Sequence, residues 1–209
     1  MRRVLLIFAS TAALASTARA QSLSFAPQIG IYIPTENLYK LASSGASSSD
    51  FKLEAGPSFG ARLGLWFGSR FGIEAAGNYV PTTFQLTGTT GSTPVRQDAK
   101  LFLGSGQAVL YLLPRTAILS LFVNGGVGVI SHGGVAFTSE AKTNEVGAIF
   151  GGGAGLHFGP IMLTAGVDLL TYTAQYQGNQ VTSQVFQQHD LNVKVGFGFP
   201  FGGGGMARR

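Results

Sequence analysis

The sequence has no cysteine, little charge and, after residue 20, no long apolar run. Without cysteine, the chain cannot form a disulfide-stapled domain or a cysteine-ligated zinc or iron–sulfur centre, and it cannot be anchored as a lipoprotein. Without a run of about 20 apolar residues, its main part cannot form a membrane-spanning helix. Hydrophobic residues nevertheless make up 45 % of the chain, enough to bury a core, which argues against disorder.

The first 20 residues have the pattern of a secretory signal peptide. Arg2 and Arg3 form a basic start, an apolar segment follows, and Ala18-Arg19-Ala20 is a small-x-small cleavage motif. We predict cleavage between Ala20 and Gln21. A retained membrane anchor is the alternative, and it is disfavoured by the cleavage motif and by the shortness of the apolar segment.

The charge distribution does not favour nucleic-acid binding. Three arginines belong to the signal peptide, and the basic pair Arg208 and Arg209 lies at the extreme C-terminus. Between Gln21 and Phe201 the acids and bases are in balance. The basic pI therefore comes from the two ends of the chain, and no basic patch for a nucleic acid is predicted.

Beyond residue 20, apolar and polar residues alternate with a period of two, which is typical of β-strands. Glycine is frequent inside the alternating segments and disfavours a helix by about 1 kcal/mol each. The predicted strands are Ser22–Pro34, Pro57–Gly68, Phe71–Thr83, Ala99–Leu113, Thr116–Ser131, Glu145–Phe158, Pro160–Thr173 and Gln188–Phe201.

The connections between these eight strands alternate in length. The short ones are Ser69-Arg70, Pro114-Arg115 and Gly159-Pro160, and the long, polar ones are Thr35–Gly56, Phe84–Asp98, His132–Asn144 and Ala174–Gln187. Short turns on one side and long loops on the other are the layout of an up-and-down meander. Both ends of the mature chain are then expected on the short-turn side.

The two faces of the strands distinguish a membrane barrel from a soluble one. In the last strand, one face carries Leu191, Val193, Val195, Phe197, Phe199 and Phe201, and the other carries Asp190, Asn192, Lys194, Gly196 and Gly198. The mid-strand charges all lie on the small, polar face, whereas a soluble barrel needs charges outside. We therefore predict an all-β fold, an eight-stranded antiparallel up-and-down transmembrane β-barrel with its apolar face toward lipid. A secreted soluble barrel or sandwich is the alternative.

The fourth strand alternates least regularly, and we place Ser105, Gln107 and Tyr111 inside and Ala108, Leu110 and Leu112 outside. Aromatic residues near strand ends are expected to form interfacial girdles. These are Phe25, Phe67, Phe71, Phe158, Phe199 and Phe201 on the short-turn side, and Tyr32, Tyr79 and Tyr172 on the loop side.

With these features, residues 21–201 resemble the small eight-stranded outer-membrane barrels of the OmpA/OmpX type. The terminal strand Val193-x-Val195-x-Phe197-x-Phe199-x-Phe201 is similar to the assembly signal of that family. The resemblance implies a monomer of the Gram-negative outer membrane with both termini in the periplasm. It implies contact with outer-membrane lipid and lipopolysaccharide, and handling by periplasmic chaperones and the barrel-assembly machinery. Unlike many minimal members, this chain continues past the terminal aromatic, and residues 202–209 are predicted as a flexible basic tail.

The inward charges are expected to form a polar network with nearby amides. Its predicted members are Arg62, Glu74, Asn78, Asn124, Asp168, Asn192 and Lys194. Buried charges need partners, because an unpaired one costs several kcal/mol. Side chains just fill an eight-stranded barrel, so a structural plug is predicted, with ion selection in a narrow channel as the alternative.

No catalytic residue, metal site or cofactor is predicted. His132 and His189 fall near the loop-side rim, with Glu140 and Asp190 nearby, but the spacing matches no metal motif, and we interpret them as solvated loop histidines. Ser131-His132 with Glu140 would suit a lipid hydrolase, because lipid A-modifying enzymes also use eight-stranded barrels. The glycine run at residues 151–155 lacks the spacing of a phosphate-binding loop.

Three functions follow from the sequence. The favoured one is a structural or surface-interaction role, in which a plugged barrel displays its long loops. The second is a narrow porin or a channel for a small or hydrophobic ligand. The third, lipid A modification, has the least support.

Overall fold

The computed structural model describes residues 21–35, 39–42, 48–87, 95–134, 144–176 and 184–201. Within these ranges the chain forms the strands β1 (Gln21–Pro34), β2 (Tyr39–Ala42), β3 (Ser48–Leu53), β4 (Gly56–Phe67), β5 (Phe71–Thr87), β6 (Val95–Tyr111), β7 (Leu119–Gly134), β8 (Asn144–Phe158), β9 (Ile161–Tyr176) and β10 (Gln184–Phe201). The same ranges contain no helix with the length and hydropathy to cross a membrane.

Eight of these strands close into a barrel in which every neighbouring pair is antiparallel. The order around the barrel is β1, β4, β5, β6, β7, β8, β9 and β10, and β10 pairs with β1 to close the ring. Strands that follow one another along the chain are therefore neighbours in space, as in an up-and-down meander. This confirms the predicted eight-stranded antiparallel barrel.

Strands β2 and β3 form a short hairpin that the sequence pattern did not predict. They lie inside the connection expected to be a loop over Thr35–Gly56, and β3 pairs with the loop end of β5. Other strands also extend further than predicted, since β5 reaches Thr87 and β9 reaches Tyr176. At the loop ends the predicted boundaries are short because clear apolar–polar alternation ends before backbone pairing does. At the turn end the opposite holds for one hairpin: β6 ends at Tyr111 and β7 begins at Leu119, so the predicted strands to Leu113 and from Thr116 are too long and the turn is longer than Pro114-Arg115.

The faces of the barrel agree with the alternation. Five outward residues of β10 are 37–52 % exposed, namely Val193, Val195, Phe197, Phe199 and Phe201. In β6, Gln107 and Tyr111 are buried, whereas Leu110 and, just after the strand, Leu112 are 48 % and 54 % exposed. The assignment of inner and outer faces in the fourth predicted strand is therefore confirmed.

Two tyrosines expected in the loop-side girdle lie inside the barrel instead. Tyr32 and Tyr172 are only 1 % and 2 % exposed, while Tyr79 is 43 % exposed on the outer surface. The prediction for Tyr32 and Tyr172 is wrong because it used their closeness to strand ends and ignored which face of the strand their positions occupy. Both occupy alternate positions whose side chains face inward.

The interior side chains form three layers along the barrel axis. The turn-end cap consists of Trp66, Val109, Tyr111, Phe122 and Met162. The central polar layer contains the inward charges and amides. The loop-end layer consists of Tyr32, Leu53, Val80, Ala99, Leu101, Leu103, Ile130, Ile149, Leu170 and Tyr172. The lumen is thus filled by hydrophobic contacts at both ends and by polar contacts between them.

Gly72 illustrates why one inward position beside the turn-end cap must be glycine. A Cβ atom at Gly72 would lie 2.3 Å from Cε3 of Trp66, whereas a Cβ atom at Gly106 on the outer face would meet no atom within 4 Å. We expect Gly72→Ala to lower the free energy of unfolding by about 1–3 kcal/mol, the usual cost of overpacking, and Gly106→Ala to leave it nearly unchanged. Urea titration followed by the fluorescence of Trp66 compares the two variants. Equal free energies of unfolding would contradict the close packing of position 72 against the Trp66 ring.

Candidate functional site in the barrel interior

Arg62 connects two distant parts of the barrel wall. Its Nη1 atom on β4 lies 3.3 Å from Oε2 of Glu74 on β5, and its Nη2 atom donates a hydrogen bond to Oγ1 of Thr164 on β9 at 2.7 Å. The side chains of Arg62 and Glu74 are 7 % and 11 % exposed. Thr164 in turn donates to the carbonyl oxygen of Gly196. Arg62 therefore reaches across the lumen in the central polar layer.

A second buried ion pair joins neighbouring strands. Nζ of Lys194 on β10 donates to Oδ2 of Asp168 on β9, and Nδ2 of Asn124 on β7 donates to Oδ1 of the same carboxylate at 3.0 Å. Asn124 also donates to the amide oxygen of Gln107 on β6. These contacts link four strands through the barrel interior.

Asn78 and Asn192 complete the set of predicted network residues. Asn78 accepts a hydrogen bond from Nε2 of Gln28 at 2.6 Å. Asn192 is 8 % exposed and lines a cavity of about 20 Å³ together with Asp168 and Asp190. A cavity of this size holds about one water molecule. The structure places every predicted network residue in the interior, where they form two separate ion-paired groups and two flanking amides.

Trp66 is the largest buried side chain of the turn-end cap. Its Nε1 atom donates to Oγ of Ser24 at 2.7 Å, and its ring meets the ring of Tyr111 edge-to-face with centroids 5.3 Å apart. The guanidinium of Arg115, in the turn between β6 and β7, lies 4.3 Å from the centre of the Trp66 ring, within range of a cation–π contact. Desolvation of this half-buried group lowers the pKa of Arg115 from its usual value.

The loop-end layer contains a polar pair that the sequence pattern did not reveal. Nδ1 of His132 on β7 lies 3.1 Å from Oε2 of Glu145 on β8, and the two side chains are 3 % and 2 % exposed. Nearby, the hydroxyl of Tyr32 donates to Oδ2 of Asp190 at 2.5 Å. The interpretation of His132 as a solvated rim histidine is wrong, because β7 continues to Gly134 and directs His132 inward.

Two residues of the arrangement considered for a lipid hydrolase, Ser131 and His132, do not face each other. Ser131 and His132 are adjacent in β7, so their side chains point to opposite faces of the strand, and Ser131 faces outward. Glu140 lies outside the described residues. The half-buried His189 contacts Oγ1 of Thr171 through Nδ1 at 3.0 Å. In the part of the chain that the structure describes, no group of three or more His, Cys, Asp or Glu side chains is arranged to hold a metal ion.

The remaining predicted residues lie at the two ends of the chain. Gln21 is the first residue of β1 and pairs with Phe67, whereas Ala20 and the tail at residues 202–209 lie outside the described ranges. The outward residues of β10 pair with β1 and β9 at the closing seam of the barrel. Signal-peptide cleavage and an assembly signal in β10 stay predictions.

The chain matches no protein-family model and no curated protein sequence. Its fold is shared by several solved structures. The outer membrane protein OprG of Pseudomonas aeruginosa has a TM-score of 0.62 and 12 % identity, with 88 % of this chain and 97 % of that chain covered. The outer membrane protein AlkL has a TM-score of 0.56 and 12 % identity, covering 90 % and 93 %. Outer Membrane Protein W of E. coli has a TM-score of 0.53 and 14 % identity, covering 86 % and 98 %. The chain therefore has the fold of the small eight-stranded outer-membrane β-barrels.

Proposed function

We propose that the chain is a bacterial outer-membrane protein with a structural or surface-interaction role, in which a closed barrel holds long connections at one membrane surface. The observation that carries this proposal is the filled interior, with a turn-end cap, two buried ion pairs and a largely apolar loop-end layer that also holds the His132–Glu145 pair, in series. Side chains that fill an eight-stranded barrel leave no room for a continuous column of water. The apolar outward band favours residence in a bilayer, and the shared fold favours the outer membrane.

In this proposal both termini of the mature chain are periplasmic, and the protein is a monomer surrounded by outer-membrane lipid and lipopolysaccharide. Periplasmic chaperones and the barrel-assembly machinery deliver it, with the outward residues of β10 as the recognised signal. We expect a protease added to intact cells to cut within residues 135–143 and to spare a tag placed after residue 209. Cleavage of that tag in intact cells, with residues 135–143 protected, would show the opposite orientation.

The closed lumen is tested by conductance. The purified mature chain, folded as judged by heat-modifiable gel mobility, is expected to give no discrete channels in a planar lipid bilayer. A general porin in the same bilayer serves as the positive control. Reproducible channels from the folded chain would overturn the plugged lumen and support the narrow-porin alternative, in which case Glu74→Gln should change the ion selectivity.

A second candidate function is the binding or passage of a small hydrophobic molecule. The loop-end layer favours it, because apolar side chains such as Leu101, Ile130 and Leu170 face the lumen at that end. The turn-end cap and Arg62 oppose it, because they lie across any straight route. Uptake of a long-chain hydrocarbon into liposomes that contain the barrel, faster than into protein-free liposomes, would favour this candidate over the structural role.

A further inference from the structure

Among the described side chains of the barrel strands, the charged ones on the outward face lie at the loop end of β6. Among the barrel-strand side chains that the structure describes, Arg96, Asp98 and Lys100 are the charged ones exposed on this face. Arg96 pairs with Glu54 at 3.6 Å, whereas Lys100 forms no ion pair with a described carboxylate. Lys100 is therefore available to an anion outside the chain.

The position of Lys100 along β6 places it at the edge of the apolar band. The outward positions from Phe102 in β6 to Leu112, just after its end, are apolar or glycine, and both end residues are more than half exposed. This stretch is about 34 Å long at the rise of an antiparallel strand, or about 26 Å along the membrane normal at a tilt of about 40°. It matches an apolar band of about 25 Å. Lys100 then lies about 5 Å beyond the band, at the height of lipid phosphates.

Hydroxyl-bearing residues occupy outward positions next to Lys100 on the two adjacent strands. Lys100 pairs with Pro81 on β5 and with Gly133 on β7. The neighbouring outward positions on these strands carry Tyr79, Thr83 and Ser131. A phosphoryl group beside the Lys100 ammonium would therefore also have hydroxyl donors within reach, and adjoining sugar hydroxyls would have acceptors.

Directly below Phe102, the outer faces of β5 and β6 carry only glycine and alanine, while Val127 and Val129 stand beside them on β7. Gly77 pairs with Gly104, Ala75 with Gly106, and Ala108 with Gly125. A Cβ atom at Gly106 would meet nothing within 4 Å, and Cβ atoms at Gly77 and Gly104 would meet only the Phe102 ring, at 3.6 and 3.8 Å. The result is a shallow groove along β5 and β6, closed at its upper end by Phe102 and bordered on the β7 side by Val127 and Val129, and an extended acyl chain fits such a shape.

We propose that this outer face of β5–β7 binds the phosphorylated glycolipid of the loop-side leaflet, lipopolysaccharide, with a lipid A phosphate on Lys100 and an acyl chain in the groove below Phe102. The charge of Lys100 at phosphate height selects a phosphorylated lipid, and the surrounding hydroxyl groups favour a sugar headgroup. Asp98 and the Arg96–Glu54 pair lie about 10–16 Å beyond the band, at the height of the further sugars. The inference rests on the proposed outer-membrane location.

The test uses the refolded mature chain in phosphatidylethanolamine nanodiscs with added diphosphoryl lipid A, and native mass spectrometry measures the retained lipid. We expect Lys100→Gln to weaken retention about fivefold, the effect of one cation near an anionic lipid surface, and Lys100→Arg to retain it. Dephosphorylated lipid A should bind the wild type and Lys100→Gln equally. Gly106→Leu fills the groove and should weaken retention of both lipids.

Two variants serve as matched controls. Arg70→Gln removes an exposed cation from the turn end, and Ala165→Leu places a leucine on the outer face of β9, so neither should change lipid A retention. Equal retention by the wild type and Lys100→Gln would overturn the proposal, as would an equal loss in Arg70→Gln. The proposal would also be overturned if phosphatidylglycerol were retained as strongly as lipid A and lost in the same way in Lys100→Gln, because the site would then bind any anionic lipid. Conductance plays no part in this assay, so its outcome is independent of whether the lumen is closed.

Discussion

Replacing Trp66 by alanine is expected to lower the free energy of unfolding by about 3–5 kcal/mol, the range found for removing a large buried aromatic side chain. The loss has three sources. The ring leaves a cavity in the turn-end cap, Ser24 loses a hydrogen-bond donor, and Arg115 loses the aromatic face beneath its guanidinium. Urea unfolding in detergent, followed by the mobility difference between folded and unfolded barrels on gels, measures the change.

A lipid-facing aromatic provides the control for Trp66. Phe67 is the next residue in β4, but its side chain points outward and is 37 % exposed. Its contact with Phe71 lies on the outer surface, with ring centroids 5.9 Å apart. We expect Phe67→Ala to cost clearly less than Trp66→Ala. Equal losses in the two variants would mean that the turn-end cap contributes no more than a membrane-exposed ring.

Lys194→Met is expected to lower the free energy of unfolding by about 3–5 kcal/mol, because it leaves a buried carboxylate without its cation. Asp168 would keep the hydrogen bond from Asn124 but lose the charge that balances its own. The same urea titration detects the loss. Val195→Met, on the opposite face of β10, changes a neighbouring residue at the membrane surface and should have little effect.

The double variant Lys194→Met/Asp168→Asn separates the cost of an unpaired buried charge from the cost of changing the side chain at position 194. The amide at position 168 is neutral but still offers an oxygen to Asn124, so most of the stability lost in Lys194→Met should return. Additive losses from the two substitutions would contradict an ion pair, because independent sites add and coupled sites do not.

Much of the barrel follows from the sequence because its wall separates two different environments. Alternate residues of β10 meet lipid or lumen, so their polarity alone predicts the direction of Lys194 and Phe197. The same alternation of odd and even positions gives the faces of β6, where Gln107 faces inward and Leu110 outward. Lengths of the connections then predict the order of the strands, since short turns join neighbours.

The contacts between interior side chains do not follow in this way. Arg62 meets Thr164, which is 102 residues away in the chain, only because the sheet closes on itself. Of the turn-end cap only Tyr111 was predicted to face inward, because the inward face was otherwise expected to be small and polar, whereas Trp66 and Phe122 also close that end. The inward direction of Glu145 could have been predicted, because it directly precedes the outward Val146 and adjacent residues of a strand face opposite sides. Its side chain then lies in the lumen, where it contacts His132.

The pairing of β1 with β10 sets this barrel apart from an open meander of hairpins. Every other barrel pairing joins strands that are close along the chain, while this one joins residues as distant as Leu23 and Phe201. Bringing such distant segments together carries the largest loop-closure entropy in the fold. The ladder is also interrupted at Ala26 and Pro27, where proline offers no N–H to the partner strand. We therefore expect folding to proceed hairpin by hairpin and the pairing of β1 with β10 to be the slowest step. The first strand then pairs with the last only after β10 has formed.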